Sequence, residues 1–283
     1  GRGYRRAVAA SQAVQRNSVS FDELSRVFWT DDIDNPYSTP VDQPFFWFRA
    51  RQVGGKSIIW SRQVYRWSDL DFEANQRDGL SVDWPIRYAD IAPWYDRVER
   101  FIGVSGQAEG LAHLPDGPFL PAMALNCVEQ HVRERMADAF GRARILTIGR
   151  CANLTTRHNG RAPCHYCGPC QRGCITRSYF SSVNATLPAA QATGRLTLRP
   201  FSIVRSLIAN GNRVTGVRVI DAKTRTERQY TGRVVFLCAS ALESARILLN
   251  SERGLANSSG QVGRNIMDHI KWGGASGEFD GWT

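Results

Sequence analysis

Four cysteines fall between positions 164 and 174, in the order Cys164-His-Tyr-Cys167-Gly-Pro-Cys170-Gln-Arg-Gly-Cys174, a C-x2-C-x2-C-x3-C run. Thiolates at this spacing let one short loop wrap a compact inorganic cluster, and Gly168 and Gly173 supply the tight bends such a loop needs. Tetrahedral zinc is the rival, because four thiolates satisfy it equally well. Zinc sites usually pair two separated C-x2-C knuckles, whereas this run is contiguous. The reading taken is therefore iron–sulfur first, zinc second, and four inert thiols last.

The spacing matches the bacterial ferredoxin run except that Ile175 stands where Pro follows the last cysteine. No second run is present to share the fourth thiolate, so three-iron and four-iron clusters both stay open. An odd total of seven cysteines, four of them crowded together, argues for ligands and against a disulfide framework. Cys127, Cys151 and Cys238 lack partners at ligand spacing and read as small buried hydrophobes. His165, inside the loop, reads as solvent-facing. His113, His131 and His158 are solitary, and Asp69, Asp71 and Glu73 read as a solvated loop face. No Ser–His–Asp order and no phosphate-binding lysine loop stands out.

The elements that must position this loop follow from periodicity. Trp94, Val98, Phe101 and Ile102 recur at helical spacing, which predicts a helix with that face buried. Val128, Val132, Met136 and Phe140 predict a second helix over 125–140, followed by a short strand at 144–149. Residues 181–193 read as a helix. Strands are expected at Leu196–Arg199 and Ser202–Ile208. Asn210-Gly211 then makes a hairpin turn into Val214–Ile220. Val234-Val-Phe-Leu-Cys238 reads as a short buried strand. It runs into a helix that opens at Ser240, with Glu243 at capping-box spacing. A strand ending at a capped helix N-terminus is how doubly wound folds hold phosphate.

Composition bounds the rest. The 283 residues are 42% hydrophobic with eight Trp and thirteen Phe, enough for one large core or two smaller ones. The formal charge is +10, but the arginines are scattered, with only Arg2, Arg5 and Arg6 clustered. A basic zinc module binding nucleic acid would need an aromatic-interleaved basic face, which is lacking, so no nucleic-acid partner is expected. No apolar run approaches the roughly 18 residues needed to span a bilayer.

Three segments together resemble the glucose–methanol–choline flavoenzymes. Arg51-Gln-Val-Gly-Gly-Lys-Ser-Ile-Ile-Trp60 is similar to the stretch that lies against the flavin in that family. Leu196 to Asp221 resembles the hairpin whose Val contacts the FAD adenine, with Val204 at the matching position. Val234 to Ser251, followed by Gly263-Arg-Asn-Ile-Met-Asp-His269, is similar to the second family signature. The family usually has Gly where Ser240 stands and often Pro where Ala245 stands. Trp67-Ser-Asp-Leu-Asp-Phe, Asp83-Trp-Pro-Ile and Pro93-Trp-Tyr reinforce the likeness, which spans about residues 40–270. The nearest branch is the bacterial one with a Cys-rich loop, which includes glucoside 3-dehydrogenases and gluconate dehydrogenase large subunits.

The resemblance implies a mixed α/β (α+β) fold: an incomplete Rossmann-like FAD-binding domain with a β-hairpin, plus part of a substrate domain. Residues 1–66 would belong to the FAD-binding domain with its Gly-Gly flavin loop, 67–160 to a helical substrate-side insertion, and 161–178 to the cysteine loop. Residues 179–270 would continue the FAD-binding domain, and 271–283 would begin a truncated substrate domain. Gly54, Gly55, Ser57, Trp60, Val204, Ala239 and Ser240 would contact FAD; Cys164, Cys167, Cys170 and Cys174 would hold the metal. Ile58 and Ile59 stand where covalently flavinylated relatives carry a histidine, so FAD is expected to bind non-covalently.

The family's N-terminal Gly-x-Gly-x-x-Gly turn is not found, and its catalytic histidine would lie beyond Thr283, so truncation at both ends is expected. His269 would be structural or cofactor-proximal. The activity implied is dehydrogenation of a hydroxyl on a sugar, glycoside or related alcohol, with electrons leaving through the iron–sulfur cluster. The runner-up is an oxidase or lyase-like relative whose cysteines hold zinc or nothing. Implied partners are a small subunit and a cytochrome or quinone acceptor. The implied location is periplasmic or membrane-associated in bacteria rather than cytoplasmic.

Overall fold

Extended chain that is buried must satisfy its main-chain groups on both edges, and residues 150–154 do so at the centre of the first of two units. In the computed structural model, which describes residues 11–252, 254–267 and 276–277, the units are Gly1–Leu196 and Thr197–Thr283. Cys151 exchanges two main-chain hydrogen bonds with Ser105, at 2.8 and 2.9 Å. On the other edge Val64 N–H donates to Arg150 at 3.0 Å and Ala152 N–H donates to Arg62 at 2.9 Å. Phe180 N–H closes onto Ala152 at 2.9 Å. Ile102, Val104 and Ala152 are buried here, with Trp60, Val64, Phe119 and Phe180 packed around them. Arg150 is itself buried, and its guanidinium is satisfied by Asp116 at 2.7 Å and by the Leu114 and Pro115 carbonyls.

Two longer helices belong to this unit: α1, Tyr88–Ile102, and α2, Cys127–Phe140. Helix α1 overturns the expected orientation. Trp94, Val98 and Phe101 are exposed, while Glu99 and Ile102 are the buried pair. The reason is electrostatic. Arg66 is buried and needs a carboxylate, which Glu99 supplies at 2.5 Å, with Asp96 at 2.6 Å and the Tyr88 hydroxyl at 2.9 Å completing the set. The helix ends at Gly103, where φ is +77° and any side chain would run into Leu154 and His158.

Helix α2 begins on a capping box: Asn126 Oδ1 accepts from Glu129 N–H at 2.9 Å, and the Glu129 carboxylate accepts from Asn126 N–H at 2.7 Å. The helix falls within the expected 125–140, and none of its residues is buried. The strand expected at 144–149 is absent. Residues 145–148 instead line a cavity of about 470 Å3 beside α2 and pair with no strand among the described residues. The helix expected at 181–193 shrinks to α3, Thr186–Ala192. The amides of Phe180 and Ser182 are already committed to Ala152 and to the Ser57 hydroxyl.

Asp69, Asp71 and Glu73 are exposed, as a solvated face requires, and the first two also cap helix starts. The Asp71 carboxylate accepts from Ser68 N–H at 2.8 Å, and Asp69 accepts from Tyr88 N–H at 2.7 Å, which anchors the start of α1.

The second unit contains a three-stranded antiparallel sheet in the order β1, Ser202–Asn210; β2, Arg213–Asp221; β3, Glu227–Thr231. The hairpin falls where Asn210-Gly211 predicts it: Asn210 pairs with Arg213, and Gly211 takes φ +57°. Helix α4, Ser240–Leu249, packs on β1, burying Ile247. Among the described residues the other two expected strands are missing. Leu196–Arg199 has no ladder, and Val234–Cys238 forms none either, with Val234 and Phe236 exposed. A short apolar strand is stable only between neighbours, and the described sheet offers none at that place. The fold is thus mixed helix and sheet.

Removing one member of a buried ion pair leaves the other charge uncompensated. Glu99→Ala is expected to destabilise the protein by about 3–5 kcal/mol in urea unfolding, whereas joint replacement of Arg66 and Glu99 by Met and Leu should recover most of that loss. Asp96 adds a pH signature. Its hydrogen bond from Arg66 lowers its carboxyl below the ordinary value, against a smaller opposing effect of burial. Its contribution is therefore complete above about pH 4, the unfolded value, and is lost as pH falls through the folded one. Asp96→Asn should remove that acid-side loss.

Candidate functional site

The cysteine loop is tied down at both ends by one residue. Cys164 N–H donates to the Leu154 carbonyl at 2.8 Å. The Ser178 hydroxyl accepts from Leu154 N–H at 2.9 Å and donates to its carbonyl at 3.2 Å. Leu154 and Ser178 are fully buried, so neither end can swing away. Between them the bends fall at the expected glycines, with φ +88° at Gly168 and +110° at Gly173, flanking a tight turn at Cys170–Arg172.

The four thiols line one cavity of about 250 Å3 together with Met123, Asn153, Thr176 and Tyr179. Cys164, Cys170 and Cys174 are half-buried, Cys167 is exposed, and all four are free thiols. His165 is exposed, as its place in the loop suggests. Burial pushes the Cys174 thiol up, but the Thr176 hydroxyl and the amides of Tyr179, Thr176 and Ser178 outweigh it and hold the thiol below its ordinary value. The shift is in the direction that favours a thiolate. Among the described residues no three His, Cys, Asp or Glu side chains stand close enough to share a single metal ion.

Tyr179 links this cavity to the glycine pair. Its ring lines the cavity, and its hydroxyl donates to the carbonyls of Trp60 at 2.7 Å and Ile58 at 3.0 Å. Burial raises that hydroxyl's pKa and keeps it a neutral donor. Ser57 Oγ accepts from Ser182 N–H at 2.9 Å, and Trp60 Nε1 donates to the Phe180 carbonyl at 3.0 Å. Gly54, Gly55, Ser57 and Trp60 thus form one stitched segment against residues 179–182. At Gly54 φ is +94°, and a Cβ would approach Ile58 and Val183 to 3.1 Å; at Gly55 φ is +51°, and a Cβ would meet nothing within 4 Å. The open side of Gly55 leaves room for a flat group to approach the main chain.

In the second unit Val204 is half-buried on β1 beside a bulge, and its carbonyl accepts from Arg246 of α4 at 2.8 Å. Ala239 precedes α4 and Ser240 is its first residue. The expected cap is not made. Ala239 occupies the cap position without a side-chain bond, and the Glu243 carboxylate accepts from Arg246 Nε at 2.8 Å. Ser240 takes φ +69°, a region where a Cβ is strained. That backbone is the physical reason a glycine is the better fit at this position.

Cys127 and Cys238 are exposed, contrary to the expectation of buried thiols; only Cys151 is buried. Each of the two exposed ones lies at the edge of a segment that packs less than its pattern suggests. Asn153, Tyr179 and Arg62 were not singled out by spacing. For Asn153 and Tyr179 the only local cue was adjacency to apolar residues on either side of the cysteine run; Arg62 had none. His269, Arg2, Arg5, Arg6 and nearly all of 271–283 lie outside the described residues.

Residues 33–271 match the GMC oxidoreductase family. The chain is 27% identical to a 2-methyl-1,2-propanediol dehydrogenase of Mycolicibacterium austroafricanum, over 86% of this chain and 45% of that protein. It is 31% identical to a paromamine 6'-oxidase of Streptomyces fradiae, over 80% of this chain and 42% of the oxidase. With the fructose dehydrogenase large subunit of Gluconobacter japonicus it shares 24% identity, over 77% of this chain and 41% of the subunit. The chain therefore spans a little under half the length of these relatives.

The left-handed backbone at Ser240 gives a direct check. Ser240→Gly is expected to raise unfolding stability by about 1 kcal/mol, by relieving the αL cost of a Cβ; the gain is tempered by glycine's greater freedom in the unfolded chain. A thermal or urea melt reads it, and a fall in stability would show that the Ser240 backbone is not strained.

Proposed function

The chain belongs to the GMC oxidoreductase family, and on that premise we propose that it is part of an FAD-dependent dehydrogenase oxidising a hydroxyl of a sugar, glycoside or related alcohol, with an iron–sulfur cluster on Cys164, Cys167, Cys170 and Cys174. The observation that carries the reading is the common cavity of the four thiols, pinned at both ends to Leu154. FAD, when bound, supplies the two-electron oxidation, and the cluster supplies one-electron exchange with an outside acceptor.

The chain's own residues do the holding. Gly54 and Gly55 give close main-chain approach on the isoalloxazine side, with Ser57 and Trp60 fixing that segment. Val204 offers its side chain to the adenine, and Ala239 and Ser240 offer the start of α4 to phosphate. Tyr179 joins the wall of the thiol cavity to the carbonyls of Ile58 and Trp60, so the flavin-side segment and the cysteine loop form one hydrogen-bonded block. Non-covalent FAD follows from Ile58 and Ile59, neither of which can form a link to the flavin. A small subunit and a cytochrome or quinone are the partners that fit a dehydrogenase, and the large-subunit naming of the Gluconobacter relative supports an assembly of that kind. A bacterial periplasmic or membrane-associated site accords with it.

A second reading is an oxidase whose thiols stay free, favoured by the likeness to the Streptomyces oxidase. Metal analysis of anaerobically purified full-length protein separates the two. Iron with acid-labile sulfide, and flavin released in full by acid precipitation, are expected. Stoichiometric zinc, or metal-free protein that turns over with hydrogen peroxide release, would overturn the iron–sulfur reading.

A further inference from the structure

The cavity beside α2 has a volume of about 470 Å3, within the range of roughly 300–1,000 Å3 usual for small-molecule sites. With the thiol cavity it shares only Met123 as a lining residue, and it includes none of the residues set against the flavin. Two apolar segments that pack little elsewhere meet around it. Helix α2 has no buried residue, and the run Ile145-Leu-Thr-Ile148 joins no strand. Leu111, Met123, Leu125, Leu146 and Ile148 make up much of the apolar lining. Apolar surface gathered around a hollow of this size favours a hydrocarbon guest over water.

The charged part of the lining is one-sided. Arg133, Arg142 and Arg144 stand against a single carboxylate, Glu109, so three positive charges less one negative leave +2. The Glu109 carboxylate already accepts a hydrogen bond from the Thr147 hydroxyl, another lining group. The C-terminal end of α2 offsets only about half a charge. Among the described residues none of the three arginines has an ion-pair partner, whereas Arg135, on the same helix but outside the lining, pairs with Asp138 at 3.5 Å. The Arg144 guanidinium lies 5.1 Å from the Phe140 ring centroid. The cavity thus joins an apolar wall to a positive field, which suits an anion with an apolar body.

We propose that this cavity binds an organic monocarboxylate with a medium-length hydrocarbon body. Its head pairs with Arg133 and Arg142, and its chain lies along the apolar lining. A guanidinium meets a carboxylate through paired, charge-assisted hydrogen bonds, which a neutral head cannot replace. Arg144, resting on Phe140, adds to the field. A second negative charge on the guest would meet Glu109, so the site selects a monoanion. The site is separate from the flavin and from the cysteine loop, and it holds whatever those cysteines carry.

The test is calorimetric titration of the full-length protein with decanoate, beside decanol and acetate, at low ionic strength. Decanoate should bind saturably, one per chain, and more weakly as salt is added. Acetate should not bind measurably. Losing the charge-assisted bonds should weaken binding roughly tenfold or more, both for decanol and for decanoate with the Arg133→Gln, Arg142→Gln double variant. Ala137→Phe, which fills the cavity from α2, should abolish binding. A measurement on the native protein guards against misfolded variants: a diazirine-bearing decanoate should crosslink within residues 107–148. Absence of saturable decanoate binding, equal affinity for decanol, undiminished binding by the double variant, or crosslinking confined to other segments overturns the site. Capture by phosphatidylglycerol vesicles that decanoate does not displace would assign the arginines to a membrane surface and overturn it too.

Discussion

Main-chain hydrogen bonding along residues 150–154 is the constraint on which the first unit depends. Arg150, Cys151, Ala152 and Leu154 bond to Arg62 and Val64 on one side, to Ser105 on another, and to Cys164, Ser178 and Phe180 beyond. Such groups cannot be left unpaired in a dry interior, so the position of this segment fixes the positions of everything that satisfies it. The cysteine loop begins and ends on Leu154, and the residues after the loop then reach back to the glycine pair through Ser182 and Tyr179. Function-bearing loops are ordinarily the mobile part of a fold. Here both loops are anchored to one buried strand-like core.

A second constraint, the burial of Arg66, decides which face of α1 turns inward. A buried guanidinium without a carboxylate is far costlier than an exposed aromatic side chain. Glu99 therefore goes inside, and Trp94, Val98 and Phe101 stay outside. The same economy governs Arg150, which is buried because Asp116 and two carbonyls receive it and Phe119 lies under its guanidinium at 4.8 Å. These two arginines hold polar interiors together where a purely apolar core would have been smaller.

The residues that the family resemblance singles out fall in both units. Gly54, Gly55, Ser57 and Trp60 belong to the first, and Val204, Ala239 and Ser240 to the second, where the bulge after Val204 and the Arg246 bond to its carbonyl tie β1 to α4. Each group is internally fixed by its own hydrogen bonds. Ser240 shows how a family position tolerates a change. Its backbone keeps the left-handed turn that glycine would adopt freely, and the serine accepts the strain.

By itself the sequence determined the features set by local chemistry. The thiol spacing with its glycine bends, the hairpin at Asn210-Gly211, the helix after Ala239 and the likeness to the family all depend on residues near one another along the chain, where steric and covalent rules act directly. Tertiary structure decided what depends on distant partners. Whether Val234–Cys238 becomes a strand depends on a neighbouring strand, and which side of α1 is buried depends on Arg66, more than twenty positions away. That Asn153 and Tyr179 face the thiols follows from the bonds that bring 150–154 and 178–182 together. Hydrophobic periodicity reports that a face is apolar, but a buried charge chooses the face when its desolvation outweighs the gain from burying a ring.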